Sequence, residues 1–424
     1  MNDISAEAVA GTLGKLLDPA NRHDPYPLYA SIQQSGPAWL EPLSAFVVAG
    51  FSDCEALLRD PRLSAEREGD DRKRWEQLLA PDVPSSVLQP WFLSLDPPDH
   101  TRLRRLVAKS FTARSVTRFE SYVFELADNL LDAVAERGTT SMDVVAELAR
   151  PLPTTVICHM LGVPLADEPL FRGWSDRLIV LVDGFDMEPP PADRLPDWLS
   201  ALTELHRYID DLITTRRRSS GDDLISDLLA AEEESDVLGH DELISTVVLL
   251  LVAGHETTVN LIANGILAML RQPELLNDLR ERPELAPAVV EETLRHDPPV
   301  QLTARLLKED TELCGHTVPR GAMVNLLLAA AQRDPAVFIE PNLFDPGRPD
   351  SRHLAFGGGP HFCLGAPLAR LEGAAAFQRF AERVVNPILV QDPPPYRPHV
   401  NLRGPEALVV RFAKILPRLA TRGY

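Results

Sequence analysis

Apolar residues recur at intervals of three and four along most of this chain, and that spacing predicts a mainly helical protein. Helices are expected over about 51–59, 97–110, 115–137, 142–161, 197–218 and 284–296. The longest is expected from Asp241 to about Arg271, and the last over about 365–384. Asp60-Pro61 stops the first of these helices, because the residue before a proline disfavours the helical region. The first 45 residues read as Pro-rich and irregular, as do 62–95 and 183–196, and 333–362 reads as a meander. Strand-like runs are few: Phe46-Val47-Val48, a stretch over about 300–328 with turns at Cys314-Gly315 and Pro319-Arg320-Gly321, and Ala407 to Phe412. No internal repeat or linker divides the pattern. The expected fold class is mainly α with small β-sheets (α+β), in one domain over 1–424.

The composition narrows the function classes. Of 424 residues, 45% are hydrophobic, enough for a large core. A net charge of -20 argues against non-specific binding to nucleic acid or to anionic membranes. The apolar run Val247–Ala253 is far shorter than the ~20 residues of a membrane span. The N-terminal segment carries acids and no basic region ahead of an apolar one, unlike a signal peptide. A cytoplasmic monomer is expected. Of four scattered cysteines, Cys54, Cys158 and Cys314 read as small buried hydrophobes.

Cys363 differs from these. It lies in Phe356-Gly-Gly-Gly-Pro-His361-Phe-Cys363-Leu-Gly365, a glycine-rich loop that runs into a helix N-terminus. Helix-terminal amides there lower a thiol's pKa, and a thiolate suits a soft metal or a haem iron. A free thiol in a tight turn is the alternative. In the longest helix, Ala253-Gly254-His255-Glu256-Thr257-Thr258 places Leu250, Ala253, Gly254 and Thr257 on one face. Ala253 and Gly254 are small enough for a flat cofactor or O₂ to approach the backbone. Thr257 supplies a hydroxyl and Glu256 an acid beside it. A zinc motif beginning at His255-Glu256 fails, because position 259 is Val.

The spacing F-x-x-G-x-x-x-C-x-G resembles the haem-binding loop of the cytochrome P-450 family. Further segments resemble that family in the same order: Asp96-Pro-Pro-Asp-His100-Thr-Arg-Leu-Arg104, the Ala253–Thr258 segment, Glu292-Thr-Leu-Arg295, Ala331-Gln-Arg-Asp-Pro335, and Phe344-Asp-Pro-Gly-Arg348. Gln332 departs from the family's usual Asn. The resemblance implies a single triangular domain with a long central helix and a haem-binding cysteine loop. It makes Cys363 the axial ligand of a haem b iron, its thiolate favouring O–O cleavage. It places His100, Arg104, Arg305 and His361 on the haem propionates, and Phe356, Ala253 and Gly254 against the haem. It casts Glu292, Arg295 and Arg348 as a buried structural lock, and Glu256 and Thr257 as the proton relay to iron-bound oxygen.

The activity so implied is insertion of one oxygen atom from O₂ into a lipophilic small molecule, by hydroxylation or epoxidation, in bacterial secondary metabolism such as macrolide, polyketide or terpenoid tailoring. Electrons would come from NAD(P)H through an external ferredoxin reductase and ferredoxin. The basic stretch with Arg102, Arg104, Arg105, Lys109 and Arg114 is the candidate ferredoxin dock. Family analogy places substrate contacts in 62–95 and 165–200, at Leu249 and Val252, from Val300 to Thr303, and at Asn401-Leu402. The Pro-rich 188–196 is a candidate lid. The rival readings are a haem-based gas sensor or carrier, which needs no acid–alcohol pair, and a peroxygenase, isomerase or carbon-bond-coupling enzyme on the same fold.

Overall fold

A helix of 32 residues, His240–Arg271, forms the axis of the computed structural model, which describes residues 2–66, 83–178, 195–235 and 238–418. Nearly all of its residues from Leu243 to Leu270 are buried. By length and mean hydropathy this helix is apolar enough to cross a membrane, more so than the run Val247–Ala253 indicates, yet 83% of that window is buried inside the protein. Its apolar residues serve a core that also takes in helices Glu120–Glu136, Pro151–Leu161, Leu195–Arg218, Ala286–His296 and Ala366–Arg383. The central helix and Ala366–Arg383 meet closely at Gly265, where a Cβ would fall 2.1 Å from Cζ of the buried Phe377 ring.

The sheets are small. Ala38–Leu40, Ala45–Val48, Met323–Leu326, Thr303–Leu307 and Leu63–Ser64 lie side by side in that order. In register, Val47 pairs with Asn325 in parallel, and Arg305 pairs with Val324 antiparallel. This sheet carries Thr303 and Arg305, and residues 300–302 lead into it. Val300 forms an antiparallel bridge to Leu402.

Several sequence expectations are corrected. The N-terminal stretch is not irregular: Asn2–Leu17 and Tyr26–Ser35 are helices. Pro27 sits in the first turn of the second, where the missing N–H costs nothing. The expected helix 142–161 is three elements: strand Ser141–Asp143, a π turn Val145–Ala149, and helix Pro151–Leu161. Pro151 has no N–H to continue the ladder, and Arg150 N–H donates instead to Val145 O, five residues back. The expected helix 115–137 divides into Ala113–Thr117 and Glu120–Glu136. Glu168–Leu178, Leu224–Ser235 and Pro273–Glu281 are helices that periodicity did not single out. Cys54 and Cys158 are buried, but Cys314 is exposed, in a left-handed turn at φ 49°. Most of the candidate lid 188–196 lies outside the described residues, as do 67–82 of the substrate loop; Leu195 and Pro196 already begin a helix.

Candidate active site

A cavity of about 840 Å³ lies between the central helix and the cysteine loop. Leu249, Leu250, Ala253, Gly254, Thr257, Thr258 and Leu261 line it from the helix, and Phe356, His361 and Cys363 from the loop. Val300, Thr303, Arg305 and Leu402 contribute another wall, and Arg104 an edge. Val252 is not part of it. At 100° per residue it points about 60° to the other side of Leu249, into the apolar core, where it is buried.

Cys363 sits at the mouth of helix Ala366–Arg383. Its N–H donates to Phe356 O at 2.8 Å, closing the loop on itself. The loop requires glycine at 359, where φ is 61° and a Cβ would stand 2.6 Å from Leu58 O. Burial pushes the Cys363 thiol up, while the N–H groups of Gly365 and Ala366 and the Arg104 guanidinium pull it down. Burial prevails, so the helix N-terminus alone does not deliver a thiolate. A cation bound at the sulfur would supply the missing stabilisation.

Basic side chains converge on the edge of the cavity. The His100 and His361 rings lie 4.2 Å apart. Both His100 nitrogens and Nδ1 of His361 are buried with no hydrogen-bond partner. Burial lowers the pKa of His100, and it lowers that of His361 to about 4, with Arg305 next in effect. Arg305 donates to Thr303 Oγ1 and Ala304 O, and Arg104 to Phe362 O. Among the described residues neither guanidinium has a carboxylate partner. Four basic groups without a counter-ion, two of them orphaned imidazoles, fit a ligand that brings its own carboxylates.

Thr257 and Glu256 face different ways. Thr257 lines the cavity, its hydroxyl donating to Ala253 O at 3.3 Å. Glu256 is buried behind it, at 3% exposure. Its carboxylate accepts from Arg397 Nη1 at 2.6 Å and Arg150 Nη1 at 3.4 Å, with His255 Nε2 at 3.6 Å. Burial opposes ionisation there, but these three groups outweigh it and hold the carboxyl well below the usual range. Arg397 and Arg150 were not found from sequence; 141 residues separate Arg397 from Glu256, and no local pattern marks it.

Beneath the loop, Glu292, Arg295 and Arg348 come together. Arg295 donates twice to Glu292, at 2.8 Å each, and to the carbonyls of Gln332, Pro341 and Leu343. Arg348 Nε lies 3.5 Å from Glu292, and its Nη atoms donate to the carbonyls of Ile339, Glu340 and Leu343. Gln332 Oε1 accepts from Leu354 N–H at 2.8 Å, so the family departure there joins the same network.

With this arrangement in view, a family model for cytochrome P450 matches residues 88–383. The chain belongs to the cytochrome P450 family. It is 39% identical over 402 residues to cytochrome P450 monooxygenase PikC of Streptomyces venezuelae, covering 92% of each chain. It is 41% identical over 377 residues to vitamin D(3) 25-hydroxylase of Pseudonocardia autotrophica, covering 85% of this chain and 86% of that one. The crystal structure of ligand-free CYP164A2 from Mycobacterium smegmatis superposes with a TM-score of 0.86 at 45% identity, over 95% of this chain and 99% of that one. This P450 is a monooxygenase of the helix-rich P450 fold, with haem as cofactor and O₂ as co-substrate.

Proposed function

We propose that this P450 inserts one oxygen atom into a lipophilic small molecule by hydroxylation or epoxidation, in bacterial secondary metabolism of the kind that tailors macrolides, other polyketides or terpenoids. The observation that carries this reading is the largely apolar cavity between Thr257 and Cys363. The names of PikC as a monooxygenase and of the vitamin D(3) 25-hydroxylase agree with it. Cys363 holds the iron, His100, Arg104, Arg305 and His361 hold the propionates, and Phe356, Ala253 and Gly254 border the ring. The bound haem supplies O₂ binding and activation. Leu249, Val300, Thr303 and Leu402 orient the substrate and keep water out. Thr257 holds a proton at Oγ1 on the cavity side, its long bond to Ala253 O being easy to exchange. Glu256, held as a carboxylate by Arg397 and Arg150, is the acidic group behind it, and takes up and hands on protons through ordered water. The Glu292–Arg295–Arg348 lock keeps the meander, and with it the cysteine loop, in place.

Electrons reach the site from NAD(P)H through a ferredoxin reductase and ferredoxin in the cytoplasm, to a monomeric enzyme. Arg102 is paired with Asp99 and Glu242, and Arg104 is turned to the loop. Arg105, Lys109 and Arg114 remain exposed beside them as the docking charges.

The test is the absorption spectrum of the reduced, CO-bound holoprotein. A strongly red-shifted Soret band that Cys363→Ala abolishes is expected. A band typical of histidine ligation, or none after haem reconstitution, would overturn the reading. Lipophilic compounds that then shift the spin state are the substrate candidates, and turnover with peroxide alone would mark a peroxygenase.

A further inference from the structure

Among the described residues, the wall formed by Val87, Leu88, Trp198, Leu202 and Leu249 is largely apolar, with His206 and Gln89 as the polar residues beside them. His206, from helix Leu195–Arg218, lines the cavity and is otherwise buried. Its Nδ1 lies 2.9 Å from Ser86 Oγ, and among the described residues its Nε2 makes no hydrogen bond. Burial pushes its pKa down to about 4, against the pull of Asp241, so the ring is neutral near pH 7. An imidazole nitrogen free to bond a molecule in the cavity offers what Leu at the same position would not.

The partner segment is fixed at both ends. Ser85 Oγ donates to Asp241 at 2.7 Å, and Ser245 Oγ donates to Gln89 O at 3.1 Å. Asp241 and Ser245 precede Thr257 by sixteen and twelve residues, ~24 and ~18 Å along a helix. His206 and Ser86 thus stand near the far end of the cavity from Thr257, in a set orientation. A hydrogen-bonding group held in advance loses little freedom when it binds.

We propose that His206, held by Ser86, is a recognition point for substrate, and that the substrate is a lipophilic molecule with a hydroxyl group remote from the carbon that is oxidised. A hydroxyl both donates and accepts, so it satisfies Nε2 in either tautomer. A site built to bond a hydroxyl discriminates strongly against the analogue that lacks it. The inference rests on the monooxygenase reading above and names its substrate class.

The test uses holoenzyme and pairs of 1-alkylimidazoles with eight to fourteen carbons, ending in methyl or in hydroxyl. The imidazole binds the haem iron and shifts the Soret band, so affinity is read without knowing the substrate. At one chain length the hydroxyl probe should bind about tenfold more tightly than its methyl partner. In His206→Leu that ratio should fall to about one. In Ser86→Ala, which keeps the ring but frees it, the ratio should fall while the methyl probes bind as before. No hydroxyl preference at any length, or one that survives in His206→Leu, would overturn the proposal. So would equal weakening of both probes in Ser86→Ala, the mark of a purely structural latch. If no probe shifts the Soret band of wild type, the haem reading falls, and this inference with it.

Discussion

On the cysteine side of the cavity, Arg295 alone makes five hydrogen bonds, two to Glu292 and three to the carbonyls of Gln332, Pro341 and Leu343, and both side chains are fully buried. On the roof, residues 85–89 are tied to their surroundings by three hydroxyl-mediated bonds, at Ser85, Ser86 and Ser245, amid apolar side chains. The first region is held by charges that tolerate no missing member. The second is held by a few neutral hydroxyl bonds, and the apolar side chains around them can be exchanged one hydrophobe for another. The chemistry stays constant on the first side, and ligand choice is free to vary on the second.

The largest expected effect tests the cysteine side. Glu292→Ala leaves the Arg295 charge buried and unpaired, which costs about 3–5 kcal/mol. The expected outcome is failure to recover folded, haem-loaded protein, read by thermal melting and the Soret band; a wild-type melting point would dissolve the contrast. Next comes the opposite wall. Leu249→Ala enlarges an existing cavity, so it should alter ligand affinity by about 1–3 kcal/mol while leaving the Soret band and haem content intact. Spin-state titration checks this, and loss of haem would show that the roof is as intolerant as the loop.

A smaller effect concerns pH. Glu291 is partly buried, which opposes ionisation, but bonds from His353 and Arg370 prevail and bring its carboxyl down to about 2. A depressed carboxyl stabilises the fold above its unfolded value near 4.3 and loses that contribution as pH falls toward 2. Denaturant midpoints between pH 5 and 2.5 should therefore decline less steeply in Glu291→Gln than in wild type. Parallel slopes would remove this pair from the forces that tie the meander to the cysteine helix. The smallest effect is at the exposed Arg105. Arg105→Glu should raise the apparent KM for ferredoxin a few-fold at low salt and little at high salt, with no change in stability. A KM unmoved at low salt would exclude this patch as the dock.

The features legible in the sequence are those set by short spacing. Cys363 and its glycines, the Ala253–Thr258 stretch and the Glu292–Arg295 pair each lie within a few residues, so helix and loop geometry alone bring them together. Val252 was misplaced because adjoining the right positions is not sharing their face. His206 with Ser86, and Arg397 with Glu256, were invisible because 120 and 141 residues separate the partners. The N-terminal helices were hidden by prolines that open one of them rather than prevent it.

Gly265 has a bearing on how such an enzyme can diversify. The helix that carries Thr257 and the helix that follows Cys363 touch there through a single absent methyl group. That contact works as a mechanical stop, fixing how closely the two helices approach at a point outside the cavity lining. A lineage that keeps Gly265 and Phe377 keeps the same helix spacing whatever it oxidises. Larger or smaller substrates must then be accommodated by reshaping the ceiling, and the two problems can be solved by separate mutations.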